Sequence, residues 1–354
     1  MNKYTPFLKF KGSEFGALKL LERVELAGIT PFFDLATKKD ITDQDIENTI
    51  TKGLRKYELN FQGCPRFYID DFDLDDSHRI NGDIVYNFFI DTFQSINFIP
   101  VVGLDRTPDR ISSLHDPLIG SDTFALRLTK EDFKSYVLSE DDIADIMNEF
   151  YVGDSKPYSK VHLIIDCRVC VEENAVELSN LIAKFIYDIC QDYKFEKIIL
   201  TGSSISVNYI DNVASGQRNT IDRIECAIYN AVTSMLEIKN IELGDYTVIT
   251  PDYSDVDIPP AALRKVMTPK VVYSYDTYQH FLRGNAIESH PDGAGQYDTL
   301  CLELVGKGFF RGENYSKGDE YIVKKSKKIG NNAQPAFMNK HLINAHITYM
   351  LNDY

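Results

Sequence analysis

Tryptophan is absent from this chain, and histidine is scarce at seven of 354 residues. Aromatic packing therefore falls to 21 tyrosines and 21 phenylalanines, many at positions of strand type. No stretch approaches the ~18 consecutive apolar residues of a membrane span. The opening MNKYTPFLKF lacks both the apolar core and the small-residue cleavage site of a secretory signal, so a soluble, cytoplasmic protein is expected. The six cysteines are scattered through a chain too large to need a disulfide framework, and reduced, packed thiols are expected. Cys167 and Cys170 form one CxxC, but no second pair follows to complete a metal site. No HExxH and no Ser/His/Asp arrangement is visible, and the glycines of GAGQY (293–297) lack the spacing of a dinucleotide or Walker loop. A net charge of −15 argues against nonspecific nucleic-acid binding, because phosphate backbones are held by cation-rich surfaces.

That charge is uneven. From Cys301 onward eight Lys or Arg face five Asp or Glu, so the first 300 residues carry −18. The tail contains a basic group, Lys324, Lys325, Lys327 and Lys328, which reads as a solvated face. What the chain has in abundance is a repeated unit: a short apolar run of strand type, a charged or small polar residue at its end, then an amphipathic stretch. Eight such runs end near Lys9, Asp34, Asp70, Asp105, Arg127, Asp166, Ser203 and Asp252. Alternation of this kind predicts an α/β protein, specifically a (β/α)8 TIM-type barrel, with the polar endings gathered at its mouth. Residues 1–260 are read as the barrel and 261–354 as a C-terminal hairpin and helical appendage packed on it.

The strands are expected at residues 4–10, then in ITPFFDL, PRFYIDD, FIPVVGLD, TFALRL, VHLIIDCR, KIILTGSS and YTVITPD. Thr42 and Asp45 form a capping-box pair before a helix running toward Tyr57. Further helices are read over 84–96, 139–150 with Asp142 at the capping-box position, 175–193 and 221–236. VVYSYD and YQHFLR follow too closely for a parallel crossover and read as a hairpin outside the barrel. Helices are expected around 298–305 and 340–351.

At the mouth, Ile164, Asp166 and Arg168 share one strand face, while Arg127 breaks an apolar run and requires a partner. Two readings stand side by side. In one, Arg127 and Asp166 are a buried ion pair that fixes the barrel. In the other, Asp34, Asp70 and Asp166 converge on a hard cation such as Mg²⁺, or Asp70 and Asp166 move protons. Lys9 is then a catalytic candidate as a Schiff-base lysine, and Lys9 and Arg127 neutralise an anionic substrate. Asp105, Arg106, Arg168 and Asp252 complete the candidate ligand-binding ring, with Gly202, Ser203 and Ser204 as a phosphate-cradling turn. The function follows the same division: a module that recognises an anionic small molecule or a protein partner, or a Mg²⁺-dependent hydrolase or lyase acting on a phosphorylated small molecule or nucleotide.

The segments FLKFKGSEFGALKLL, ITPFFDL, VVGLDR, LRL, LIIDCR, LTGSSI, DRIE, GDYTVITPDY, GQYDTLCLELV and FRGENYSKGDEYI, in that order, resemble the beta-protein family, named after a bacteriophage protein. The resemblance covers nearly the whole chain and implies a setting in phages or in bacterial mobile or defence loci, with a protein partner from such a system. It assigns no catalytic residue. Its pattern maps onto Lys9, Gly12, Glu14, Asp34, Asp70, Asp105, Arg106, Arg127, Asp166, Gly202, Ser203, Asp252 and Asp319. The chain departs from it where the family often has Glu at the place of Asp34, an aromatic at Cys226 and a His-His pair at Lys340 and His341.

Overall fold

The computed structural model describes residues 3–35, 37–38, 40–60, 66–252 and 265–354. Its strands are β1 (Thr5–Lys9), β2 (Phe32–Asp34), β3 (Tyr68–Asp70), β4 (Arg79–Ile80), β5 (Asp83–Ile84), β6 (Ile99–Val102), β7 (Thr123–Thr129), β8 (Lys160–Val169), β9 (Lys197–Ser203), β10 (Arg218–Asp222), β11 (Ile241–Asp245), β12 (Lys270–Tyr275) and β13 (Tyr278–Arg283). Eight of them close into a parallel barrel in the order β1-β11-β9-β8-β7-β6-β3-β2, with helices on the outside. No helix among the described residues is long and apolar enough to cross a membrane.

Side chains alternate across the barrel wall as the period of two requires. Phe7, Phe32, Tyr68, Ile99, Val101, Ala125, Ile164, Ile199 and Tyr246 fill the interior as a separate cluster. Their neighbours Leu8, Phe33, Ile69, Leu126, Leu163 and Ile165 face the helix layer. Phe7 and Phe32 stack at 4.3 Å between ring centres, a contact worth about 1 kcal/mol beyond its buried area. The same alternation carries Lys9, Asp34, Asp70, Arg127 and Asp166 into the layer above, so the polar strand endings sit over an apolar plug.

The helices follow local chemistry. Thr42 and Asp45 make the expected reciprocal bonds, Asp45 N–H to Thr42 Oγ1 at 3.2 Å and Thr42 N–H to Asp45 Oδ2 at 3.4 Å, and open Asp43–Asn60. Ala175–Asp192 begins where the Asn174 side chain accepts from Val176 and Glu177, and it buries Leu178, Ile182, Phe185, Ile186 and Ile189. Ser139 does not start its helix. Tyr136–Phe150 begins earlier, and the Ser139 hydroxyl bonds back to the Ser135 carbonyl inside it, leaving Asp142 no capping role.

The last barrel strand is Ile241–Asp245 and not YTVITPD. Ile241, Glu242 and Leu243 pair with β9, and Gly244 and Asp245 pair with β1. Gly244 is needed there, since a Cβ would stand 2.8 Å from the Phe7 ring and 2.9 Å from the Thr5 carbonyl. Thr247 then takes φ 58°, which ends the extended run and leaves Asp252 in the following loop.

The appendage is a three-stranded antiparallel sheet, β10-β13-β12, with helices Gln296–Val305, Lys317–Ser326 and Pro335–Asn352. The β12–β13 hairpin is as expected, whereas β10 is an additional strand that takes the first two residues of the helix expected over 221–236, which begins at Ile224. In the basic tail group, Lys325 is buried, bonded to the Asn331 carbonyl at 2.7 Å and 3.4 Å from Asp298, and only its neighbours are solvated. A buried polar cluster ties appendage to barrel. His346 faces Asp245 through Nε2 at 3.0 Å and Ser274 through Nδ1 at 2.7 Å, while Arg223 donates to Asp245 and to Glu225. The fold thus assembles a Ser/His/Asp set from three distant segments, fully buried and serving as a joint.

Candidate functional site

Arg127 occupies the centre of the barrel mouth. It rises from β7 with no solvent exposure and donates to Asp34 at 2.7 Å, Asp70 at 2.8 Å, Asp166 at 2.6 and 3.0 Å, and the Tyr246 hydroxyl at 2.9 Å. Arg106 grips the two oxygens of Asp70 at 2.9 Å each and reaches Asp105 at 2.5 Å. Arg110 pairs with Asp71 at 2.8 Å. Burial alone would raise the Asp70 carboxyl, but Arg106, Arg127 and Arg110 together hold it well below the ordinary range. Asp34 goes the other way: burial outweighs Arg127 and Lys9 and raises it.

The loop after β3 closes this layer. Asp73 accepts from Lys9 at 2.8 Å and from Arg168 at 2.9 Å, and the centre of the Phe72 ring lies 4.6 to 5.1 Å from the guanidiniums of Arg106, Arg127 and Arg168. Such cation–ring contacts are worth about 0.5 to 2 kcal/mol each as water is excluded. The mouth is sealed by the protein's own aromatic ring and carboxylates.

Of the residues picked out by sequence, Lys9, Asp34, Asp70, Arg106, Arg127, Asp166, Arg168 and Asp252 do come together here. Their mutual bonding decides their chemistry. Asp34, Asp70 and Asp166 converge on a guanidinium, which takes the position a cation would need, so this donor set does not fit Mg²⁺. Among the described residues no group of three or more His, Cys, Asp or Glu is placed to hold a metal ion. Lys9 is buried, and its Nζ is engaged by the Asp73 carboxylate at 2.8 Å and the Pro251 carbonyl at 2.5 Å. Asp105 lies beyond the end of β6, half exposed. Gly202 and Ser203 end β9 and Ser204 follows it, all three packed: Ser204 is hydrogen-bonded to Glu225 and the Ile224 N–H, Ser203 to the Ile249 carbonyl, and a Cβ at Gly202 would crowd Cys167 and Cys170. Those two thiols are free and buried, and burial raises both.

An open space lies beside the sealed centre. A cavity of about 480 Å³ at the carboxyl end of β1 is lined by Lys9, Lys11, Lys270, Tyr209, Thr250 and Asn339. Lys270 packs its Nζ 3.6 Å from the Tyr209 ring centre, and burial followed by the nearby Arg283 lowers it to about 8. Two carboxylates also line the cavity, but Asp252 is held by Arg168 at 2.8 Å and Glu14 is raised by burial toward its neutral form. The cavity thus gathers three lysines and two carboxylates on one wall, with Lys9 paired to Asp73 and Asp252 to Arg168. Tyr209 OH and Thr250 Oγ1 are buried without hydrogen-bond partners among the described residues, and both belong to this wall. Buried polar groups of that kind are uncommon and call for a partner.

The sequence profile of the Beta protein family matches residues 4–352. The chain belongs to the Beta protein family. Comparison with curated proteins finds no match. Among the residues that carry the resemblance in sequence, Lys9, Asp34, Asp70, Arg106, Arg127 and Asp166 lie in the sealed mouth, and Asp319 accepts from Tyr273 at 2.6 Å in the appendage. Sequence reasoning passed over Asp71, Phe72 and Asp73, although DDFDLDD directly after a strand was a visible signal: an acidic run with one aromatic is suited to cover arginines. It also passed over Lys11, Tyr209 and Lys270, which are distant in the chain and meet only because the appendage folds back on the barrel.

Proposed function

We propose that this chain is a recognition barrel that binds a small anion, a phosphate or carboxylate, in the lysine-lined cavity beside its mouth. The observation that carries this reading is the meeting of Lys11 and Lys270, with the ion-paired Lys9 beside them, at one cavity whose wall holds two buried hydroxyls unpartnered among the described residues. The volume is in the range of small-molecule sites, and the hydroxyls supply directional contacts that lysines alone do not. The alternative of Mg²⁺-dependent hydrolysis at the mouth lacks support in the geometry, because Arg127 holds the carboxylates it requires. A setting in phages or defence loci, and an acidic surface that meets a protein partner, are compatible with an anion-responsive module.

Titration calorimetry with inorganic phosphate and with a small dicarboxylate tests the reading. Binding that weakens with salt and falls at least about tenfold in Lys270→Met is expected, the loss of one charge-assisted contact. Absence of binding by both anions, or binding indifferent to Lys270→Met, overturns it.

A further inference from the structure

The lysine cavity does not end at its own wall. Ser13 and Ala336 line it and also line a second, larger hollow of about 820 Å³ toward the C-terminal helices. The second hollow differs in chemistry. Phe337 and Ile329 stand there 48% and 54% exposed, large apolar side chains left open on a concave surface. Tyr321 meets Phe337 edge to face at 5.3 Å, itself stacked at 3.8 Å on His341, which fixes the aromatic wall. Lys340 sets its Nζ 3.9 Å over the Phe337 ring, and Asn332 and Gln334 also line the hollow.

We infer that the two hollows form one bipartite site for a purine nucleoside monophosphate, with phosphate at the lysines and the base against Phe337. The inference rests on the anion reading above and names its ligand class. A free phosphate would use the first hollow and leave the second without purpose. An aliphatic chain would use the apolar wall but not the amides, whereas a purine presents a flat π-face to Phe337 and hydrogen-bonding edges to Asn332 and Gln334. Ribose spans the junction at Ser13, whose hydroxyl donates to Glu14 Oε2 and is left to accept from a sugar hydroxyl.

Titration of the full chain with AMP, ribose 5-phosphate, inorganic phosphate and octyl phosphate separates the parts. AMP is expected to bind about tenfold or more tighter than ribose 5-phosphate, as one base stacking on one aromatic ring provides. Phe337→Ala should erase that advantage and leave ribose 5-phosphate unchanged, while Lys270→Met weakens all phosphates. Equal binding of AMP and ribose 5-phosphate, insensitivity of AMP to Phe337→Ala, or octyl phosphate exceeding AMP overturns the nucleotide assignment while the anion reading stands. If no phosphate binds, the anion reading itself has failed. Circular dichroism of both variants, expected to match wild type, confirms that neither change unfolds the chain.

Discussion

Replacing Arg127 by methionine keeps much of the side-chain volume and removes the charge at the centre of the mouth. The structure indicates how the loss distributes. Asp70 retains its two bonds from Arg106, and Asp166 retains the Tyr246 hydroxyl at 2.6 Å and the Arg168 N–H at 2.8 Å. Asp34 is left worst, because its Oδ1 is held by Arg127 and its Oδ2 has no partner among the described residues. Removing one partner of a buried ion pair typically costs about 3–5 kcal/mol, a large part of the 5–15 kcal/mol that stabilises an ordinary domain. Urea unfolding at pH 7 should show that loss. Without Arg127 the Asp34 carboxyl rises further above its unfolded value, so its contribution favours the fold at low pH and is lost as pH rises. Arg127→Met should therefore lose less stability near pH 5 than at pH 7, and adding Asp34→Asn should restore part of the loss at pH 7. A loss below about 1 kcal/mol, or no rescue by Asp34→Asn, would refute the claim that the mouth is a structural ion-pair core.

Three further expectations follow from particular contacts. Phe72→Ala uncovers Arg106, Arg127 and Arg168 and should lower stability by about 1–3 kcal/mol in urea unfolding, from lost ring contacts and water entry. At the joint, burial opposes but His346 and Arg223 prevail, lowering Asp245 from 3.8 to about 2. That stabilisation, on the order of 2 kcal/mol, is complete above pH 4 and is lost as pH falls toward 2. Burial also lowers His346, so the unfolded chain gains its proton first below about pH 6.5 and the fold weakens further. Asp245→Asn should flatten the acid limb of stability measured between pH 5 and 2. Gly318→Ala should destabilise the appendage by about 1–3 kcal/mol, since its Cβ would lie 2.1 Å from the His341 carbonyl and force helices Lys317–Ser326 and Pro335–Asn352 apart; limited proteolysis should report it.

The barrel was legible because its signals are local and repeated: strand alternation places Ile164 and Asp166 inward whatever the tertiary detail. The last strand was misread because Tyr246 to Thr250 alternates well, yet its backbone turns at Thr247, a left-handed conformation that composition does not reveal. The mouth was legible as a place and not as chemistry. A row of aspartates predicts a cation among them, and sequence cannot say whether that cation is a metal or Arg127. The cavity was out of reach, since Lys11, Tyr209 and Lys270 meet only after the appendage docks.

Anomalous diffraction from crystals soaked in tungstate, a heavy phosphate mimic, tests the central claim most directly. The account predicts one ordered anion in the cavity between Lys11 and Lys270, with Phe72 still over Arg127. An anion seated on Arg127 or Arg168, with Phe72 and Asp73 displaced, would contradict it.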